Sequence, residues 1–235
     1  QSYDENLSNT KWFNLEPYPL DMALINQAEN NLWIEQAKHI QRHLTEEIID
    51  VAFTHFPKEV QGNTTKNIKI KLQGRLKNLQ KIANKYAHHI AKFAVIKGTD
   101  KEDWFDIERL PNGNTMVVGH RIKKGKKDNI FHQKTYSKTT TKEIWIYGLD
   151  DNDTFTVFGN GKDLIKIRLI GGQNKDTYNI KNGKKVTFYD YKTKKNNVLT
   201  SKGVQKLSDR YTTNVYDYKK LKYSAFTMVP IIGFN

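Results

Sequence analysis

The sequence predicts an α+β chain: an N-terminal helical hairpin, then a β-rich region of stacked, solenoid-like β-arches with one inserted hairpin. Three observations carry this. Apolar residues recur at helical spacing to about residue 93 and at a spacing of two from Ala94 onward. A unit of strand, Gly, four polar residues, Asp and strand occurs at Ile144, Ile146, Gly148, Asp153, Phe155 and Val157. It returns 23 residues later at Ile167, Leu169, Gly171, Asp176, Tyr178 and Ile180. A third copy, Ile96, Gly98, Asp103, Phe105 and Ile107, lies 50 residues before the first of these, which leaves room for an insertion.

Taken in order, residues 1–16 are polar and read as a tail or linker. Residues 17–93 read as the helical hairpin. One helix over about 21–53 carries Leu24, Ile25, Leu32, Ile40, Leu44, Ile48 and Val51, with a break near Asn30 and Asn31. Phe56-Pro57 ends it. After a polar segment at 61–67, a second helix over 68–93 carries Ile68, Leu72, Leu76, Leu79, Ala83, Tyr86 and Ile90.

Residues 94–200 are the β-repeat region, with the inserted hairpin at 114–136. Its strands are Thr115–Ile122 and Ile130–Tyr136, around a KKGKKDN tip. In each repeat the glycine is expected to supply a positive φ, and the Asp to close its own turn as an Asx turn. The aromatic and the aliphatic after it share one face, so Phe105, Phe155 and Tyr178 should line one core. A degraded fourth rung starts at Val186 and Phe188, with Asp190 in the glycine's place. YDYK at 189–192 and at 216–219 reads as two exposed aromatic strands around a polar loop. Residues 201–235 read as a β segment, ending in the apolar AFTMVPIIGFN.

Composition sets the limits. The chain has 235 residues, 37% hydrophobic and 11% aromatic, enough for a folded core. It holds no cysteine, which excludes disulfides and thiolate metal sites. No run of 18 apolar residues spans a membrane as a helix. No signal peptide is visible, and the start at Gln1 suits a mature or excised fragment. The net charge of +14 suits an anionic neighbour, although the lysines are spread and no nucleic-acid module accompanies them.

Motifs of known chemistry are few. GGQNKDTYN at 171–179 resembles the calcium nonapeptide of repeats-in-toxin proteins, with Asn174 in place of the third glycine. Those proteins need consecutive nonapeptides to share each ion, whereas here the copies lie 23 apart. Asp153 and Asp176 are therefore the calcium candidates, and a structural turn is the preferred reading of both. Glu35, His39 and His43 share a helix face at steps of four, which suits a metal, but no further ligand or general base is indicated. His88 and His89 point to different faces. The carboxylates of LDDND at 149–153 sit in a repeat turn, where exposed Asp is expected. G-x-S-x-G, P-loop and Gly-x-Gly-x-x-Gly motifs do not occur. No catalytic residue and no cofactor is assigned.

Several linked segments together resemble a known arrangement. They are AVIKGTDKEDWFDI at 94–107, ERLPNGNT at 108–115, HRIKKGKKDNIFH at 120–132, TKEIWIYGLDDNDTFTVFG at 141–159, IKIRLIGGQNKDTYNI at 165–180 and YDYKTKKN at 189–196. This set resembles the middle region of outer-membrane proteins in which a calcineurin-like metallophosphoesterase domain precedes a C-terminal bacterial surface antigen β-barrel. VPIIGFN at the end resembles the start of the barrel's first strand. The resemblance implies an upstream phosphoesterase domain, a downstream barrel, and a place in the cell envelope at the outer membrane, on its periplasmic side. Asp-x-His, Gly-Asp-x-x-Asp, Gly-Asn-His-Glu and Gly-His-x-His, the motifs of the phosphoesterase dimetal site, do not occur in this chain.

The expected function is thus a non-catalytic connector or scaffold, positioning a phosphoesterase domain relative to a barrel. Its partners would be the other domains of the same polypeptide and an anionic membrane surface, with no nucleic acid. Two alternatives stay open: an accessory part of a phosphoesterase substrate site, whose basic residues grip phosphate, and a calcium-stabilised binding module.

Overall fold

The structure is a computed structural model and describes residues 3–161 and 164–220. It is α+β, with helices first and two sheets after them, and it divides into two compact units. One unit holds residues 3–95 with 137–144, and the other holds 96–136 with 145–220.

The helical unit differs from a simple hairpin. It consists of α1 (Thr10–Phe13), α2 (Tyr18–Leu24), α3 (Asn30–His43), α4 (Glu46–Thr54), α5 (Asn63–Lys77) and α6 (Leu79–Ile90). The expected helix over 21–53 is thus three helices. Leu44 ends α3, and Thr45 restarts the chain by accepting the Ile48 N–H as an N-cap, with Glu46 and Glu47 in the first turn. The expected second helix breaks at Asn78 into α5 and α6.

The helical core keeps the inner end of the second expected stripe, at Tyr86 and Ile90, but not most of the first. Met22, Tyr86 and Ile90 are buried against Tyr18, Trp33, Phe93 and Val95, while Leu24, Ile40, Ile48 and Val51 are exposed. Shorter helices turn each stripe to a different bearing, so residues in one sequence register no longer share one face. Within the expected tail, the described residues 3–16 do not hang free. Leu7 and Thr10 are buried, and Arg75 donates to the Asp4 carbonyl at 2.7 Å.

In the β unit the strands alternate between two sheets. They are β1 (Phe93–Lys97), β2 (Asp103–Arg109), β3 (Thr115–Lys123), β4 (Lys126–Tyr136), β5 (Glu143–Leu149), β6 (Thr154–Gly159), β7 (Lys166–Gly172), β8 (Thr177–Ile180), β9 (Val186–Asp190), β10 (Asn197–Ser201) and β11 (Val204–Leu207). One sheet has the order β1-β5-β7-β9-β11 and the other β10-β8-β6-β2-β3-β4. Each repeat therefore places its first strand in one sheet and its second strand in the other. β2, β6 and β8 pair in parallel with Phe105, Phe155 and Tyr178 in register.

β3 and β4 are the inserted hairpin, turned at Lys124 and Gly125, both at positive φ. The return strand begins at Lys126, earlier than expected. The hairpin adds to the edge of the second sheet at β2, so the insertion lengthens that sheet without breaking the stack.

The two sheets bury differently. β5 and β7 are buried on both faces, whereas β2, β6 and β8 alternate between buried and half-buried. The outer face of the first sheet is covered where α7 (Tyr211–Asn214) packs on β7 and β9, and where Tyr216 meets Tyr147 edge-on at 5.2 Å. The two YDYK stretches are accordingly not exposed strands. Tyr189 is buried in β9, residues 216–219 form no strand, and β10 and β11 lie between them. The apolar stretch 225–235, expected to lead into a barrel, lies outside the described residues.

Candidate functional site

The feature with the most chemistry is a column of carboxyl groups inside the arches. Asp103, Asp153 and Asp176 follow the polar turns of successive repeats, and all three are at most 1% exposed. The carboxyls of Asp153 and Asp176 each reach the preceding repeat. The Asp103 N–H donates to Asp153 Oδ1 at 2.8 Å, and the Asp153 N–H to Asp176 Oδ1 at 2.8 Å. Asn196 ends the series, where its Oδ1 accepts the Asp176 N–H at 2.9 Å. The expectation that each Asp closes its own turn thus holds for Asp103, which accepts the Thr99 N–H, and is corrected for Asp153 and Asp176. Stacking brings the next carboxyl within reach of a turn N–H that has no strand partner, and that bond holds repeat to repeat.

The repeated glycines are also explained differently from the expectation. Gly98, Gly148 and Gly171 do not have positive φ; the left-handed residues are the next ones along, Leu149 (φ 89°) and Gly172 (φ 101°). The glycines are needed for space. A Cβ on Gly98 would stand 2.7 Å from Asp103 Oδ2 and 2.6 Å from the Gly148 carbonyl. A Cβ on Gly148 would overlap Asp153 Oδ2 and the Gly171 carbonyl, and one on Gly171 would overlap Asp176 Oδ2 and Tyr178 Oη. In the degraded rung, Asp190 fills the glycine column with a carboxyl of its own. It is fully buried and accepts Tyr178 Oη at 2.7 Å and the Tyr191 N–H at 2.6 Å.

The electrostatics change along the column. Asp103 has donors on both oxygens: Arg121 pairs with Oδ1 and the Thr99 N–H donates to Oδ2 at 2.6 Å. Burial raises its pKa, and Thr99 and Arg121 pull it back. Asp153 Oδ2 and Asp176 Oδ2 are buried with no donor. Burial, and then the charge of Asp176, push Asp153 up to about 10. Burial, and then the charge of Asp190, push Asp176 up to about 8. Asp190 is raised by burial, and Tyr178 lies well above an ordinary phenol for the same reason.

Beside the column stand the aromatics. Phe105 stacks on Phe155 at 5.4 Å, Phe155 stacks on Tyr178 at 5.3 Å, and Phe188 closes on Tyr178 from the other sheet at 4.4 Å. This is the continuous core expected of the three in-register aromatics.

Arg109 is a buried functional group that the sequence reading missed. It is fully buried and donates to the Ile165 carbonyl at 2.6 Å, the Lys184 carbonyl at 3.2 Å and Thr115 Oγ1 at 3.2 Å. Burial brings its pKa down to about 10. The signal was present, since Asp103, Phe105, Ile107 and Arg109 alternate onto one face of a strand.

On the half-buried face of the same sheet, Asp106 Oδ2 lies 3.4 Å from His120 Nε2 and pairs with Lys127. Lys127 covers the Trp104 ring at 4.7 Å, and Trp104 Nε1 donates to Thr156 Oγ1 at 3.2 Å. This cluster fastens the inserted hairpin to β2 and β6.

The calcium candidates Asp153 and Asp176 are thus brought together, but facing inward with one oxygen each on backbone N–H. Calcium needs six or more oxygens converging on one point. The His39 and His43 rings meet at 4.2 Å on α3, tilted by 33°, with Glu35 in a shallow surface groove beside Lys38, Gln41, Arg42 and Gln80. Among the described residues no group of three His, Cys, Asp or Glu is placed to hold a metal ion. His88 is exposed and His89 half-buried. Comparison with protein-family models, curated proteins and solved structures returned no match.

Proposed function

We propose that this chain is a non-catalytic connector of an outer-membrane protein, on the periplasmic side, whose stacked arches act as a solenoid-like spacer between a phosphoesterase domain and a β-barrel. The observation that supports it most directly is where the repeated reactive groups go. The aspartates of successive arches bond each other's backbone inside the stack, and the aromatics stack beside them. Groups used in this way stiffen a spacer and are withheld from solvent. The placement between an upstream phosphoesterase and a downstream barrel rests on the resemblance of residues 94–196.

Charge supports a membrane-facing role for the same region. Residues 96–235 carry 27 Lys and Arg against 15 Asp and Glu, while residues 1–95 are nearly balanced at 12 against 10. Four of those 15 acids are the buried Asp103, Asp153, Asp176 and Asp190, so the solvent-facing excess is larger still. Anionic lipid headgroups are the partner such a surface favours.

The test is direct. The purified chain, supplied with manganese, should not hydrolyse bis-p-nitrophenyl phosphate above a buffer control. Turnover that is abolished by substitutions within residues 3–220 would overturn the connector reading in favour of an accessory part of a phosphoesterase site.

A further inference from the structure

We propose that the inner end of the carboxyl column stores protons. Asp176 is held as a carboxylic acid hydrogen-bonded to the Asp190 carboxylate, Asp153 is held as an acid against the Gly171 carbonyl, and the last arches close only while these protons stay bound.

The argument is one of donors and acceptors. Asp190 has the partners of a carboxylate, with the Tyr191 N–H on Oδ1 and Tyr178 Oη on Oδ2. Tyr178 has one hydroxyl proton, and it is used there. Asp176 Oδ1 is taken by the Asp153 N–H, and its Oδ2 lies within contact distance of the same point beside Gly171 as Asp190 Oδ2 and Tyr178 Oη. The carboxyls of Asp176 and Asp190 therefore face each other across that point. As two carboxylates they are acceptors facing an acceptor, and Asp176 Oδ2 has no donor. One proton on Asp176 Oδ2 resolves this and turns the contact into a strong bond. Asp153 repeats the arrangement: Oδ1 takes the Asp103 N–H, while Oδ2 has no donor and shares the space beside Gly148 with the Gly171 carbonyl. A carbonyl is an acceptor, so the proton between them belongs to Asp153.

The charged surroundings favour the same state. Asp153 faces Asp103, Asp151 and Asp176; Asp176 faces Asp190; and Asp190 lies beside Tyr178 and Tyr191, with Asp209 and Tyr211 next to that. The cation set on the column, Arg121, is at the Asp103 end. Burial with like-charged neighbours keeps a carboxyl neutral.

The direction of the pH dependence follows. These groups bind protons more tightly folded than unfolded, so their stabilisation is complete below the ordinary carboxylate pKa, about 4. It is lost as pH rises through the folded values, about 8 for Asp176 and about 10 for Asp153. Between about pH 5 and 8, each stored proton makes the unfolding constant rise about tenfold per pH unit. His132, held down to about 4 by burial, and His89, also lowered, act oppositely below pH 6.5, so the reading is taken as a difference between proteins.

The experiment uses the full chain. Infrared spectra at pH 6 in deuterated buffer should show the carbonyl stretch of protonated, buried carboxyl groups, and Asp176→Asn should remove part of it. Urea unfolding from pH 5 to 9 should then show Asp176→Asn with a pH slope smaller by one proton, and with its advantage over wild type growing as pH rises. Asp190→Asn should destabilise at every pH, because it removes the carboxylate that accepts the shared proton. A spectrum without a protonated-carboxyl band overturns the proposal. So do equal pH slopes for wild type and Asp176→Asn. A chelator-sensitive melting temperature overturns it in favour of a bound cation.

Discussion

Replacing Phe155 with alanine tests whether the arches share one core. Phe155 is fully buried in β6, the middle strand of the parallel β2-β6-β8 trio, and its ring lies flat between Phe105 and Tyr178. Truncation removes apolar area and leaves a cavity that neighbouring strands cannot close, because their register is held by the ladder on both sides. Such substitutions cost about 3–5 kcal/mol. Each flat aromatic contact is worth about 0.5–1.5 kcal/mol beyond area, and two are lost, which places Phe155 toward the upper end of that range. In a chain of this size about 2–4 °C is lost per kcal/mol, so the melting temperature should fall by roughly 8–20 °C. Phe131→Ala is the control. Phe131 also meets Phe105, edge-on at 5.8 Å, but it is 37% exposed, and its loss should cost no more than about 1–2 kcal/mol. Thermal and urea melts followed by circular dichroism provide the comparison. Equal, small shifts for the two variants would refute a continuous aromatic column.

Three further outcomes are expected. Gly148→Ala should destabilise by more than about 2 kcal/mol in urea titrations, since its Cβ must displace Asp153 or the Gly171 backbone, whereas Gly62→Ala, with no atom within 4 Å of the added Cβ, should cost less than about 1 kcal/mol. Arg109→Leu should cost about 3 kcal/mol by leaving the Ile165 and Lys184 carbonyls without their charged donor, and Arg109→Lys should recover less than half, because one ammonium does not span both. Calcium or a chelator should leave the melting temperature unchanged, whereas a true site at a hundred times its dissociation constant would add about 2.7 kcal/mol.

Much of the β unit was legible because its information is local and repeated. The 23-residue step, the alternation around Phe105, Phe155 and Tyr178, and the Lys-Gly hairpin turn each name their own structure. The helical unit was less legible. Two long stripes became shorter helices; Tyr86 and Ile90 of the second stripe are buried as expected, but Leu24, Ile40, Ile48 and Val51 of the first are exposed. A single N-cap at Thr45 or a break at Asn78 is a local choice, and it reorients everything after it.

The same division applies to the carboxyl column. The repeat pattern alone places an Asp after each turn, a Gly five residues before it, and an aromatic two residues after it. Which group each Asp touches was decided only by stacking, since Asp103, Asp153 and Asp176 meet through residues 50 and 23 positions apart. A lone turn would have left each carboxylate in water, closing its own loop. Once the arches stack, Asp153 and Asp176 take the N–H of the preceding repeat, and burial between like charges changes the proton each carboxyl holds. A local pattern can specify a repeat, but the environment of a charge is a property of everything packed around it.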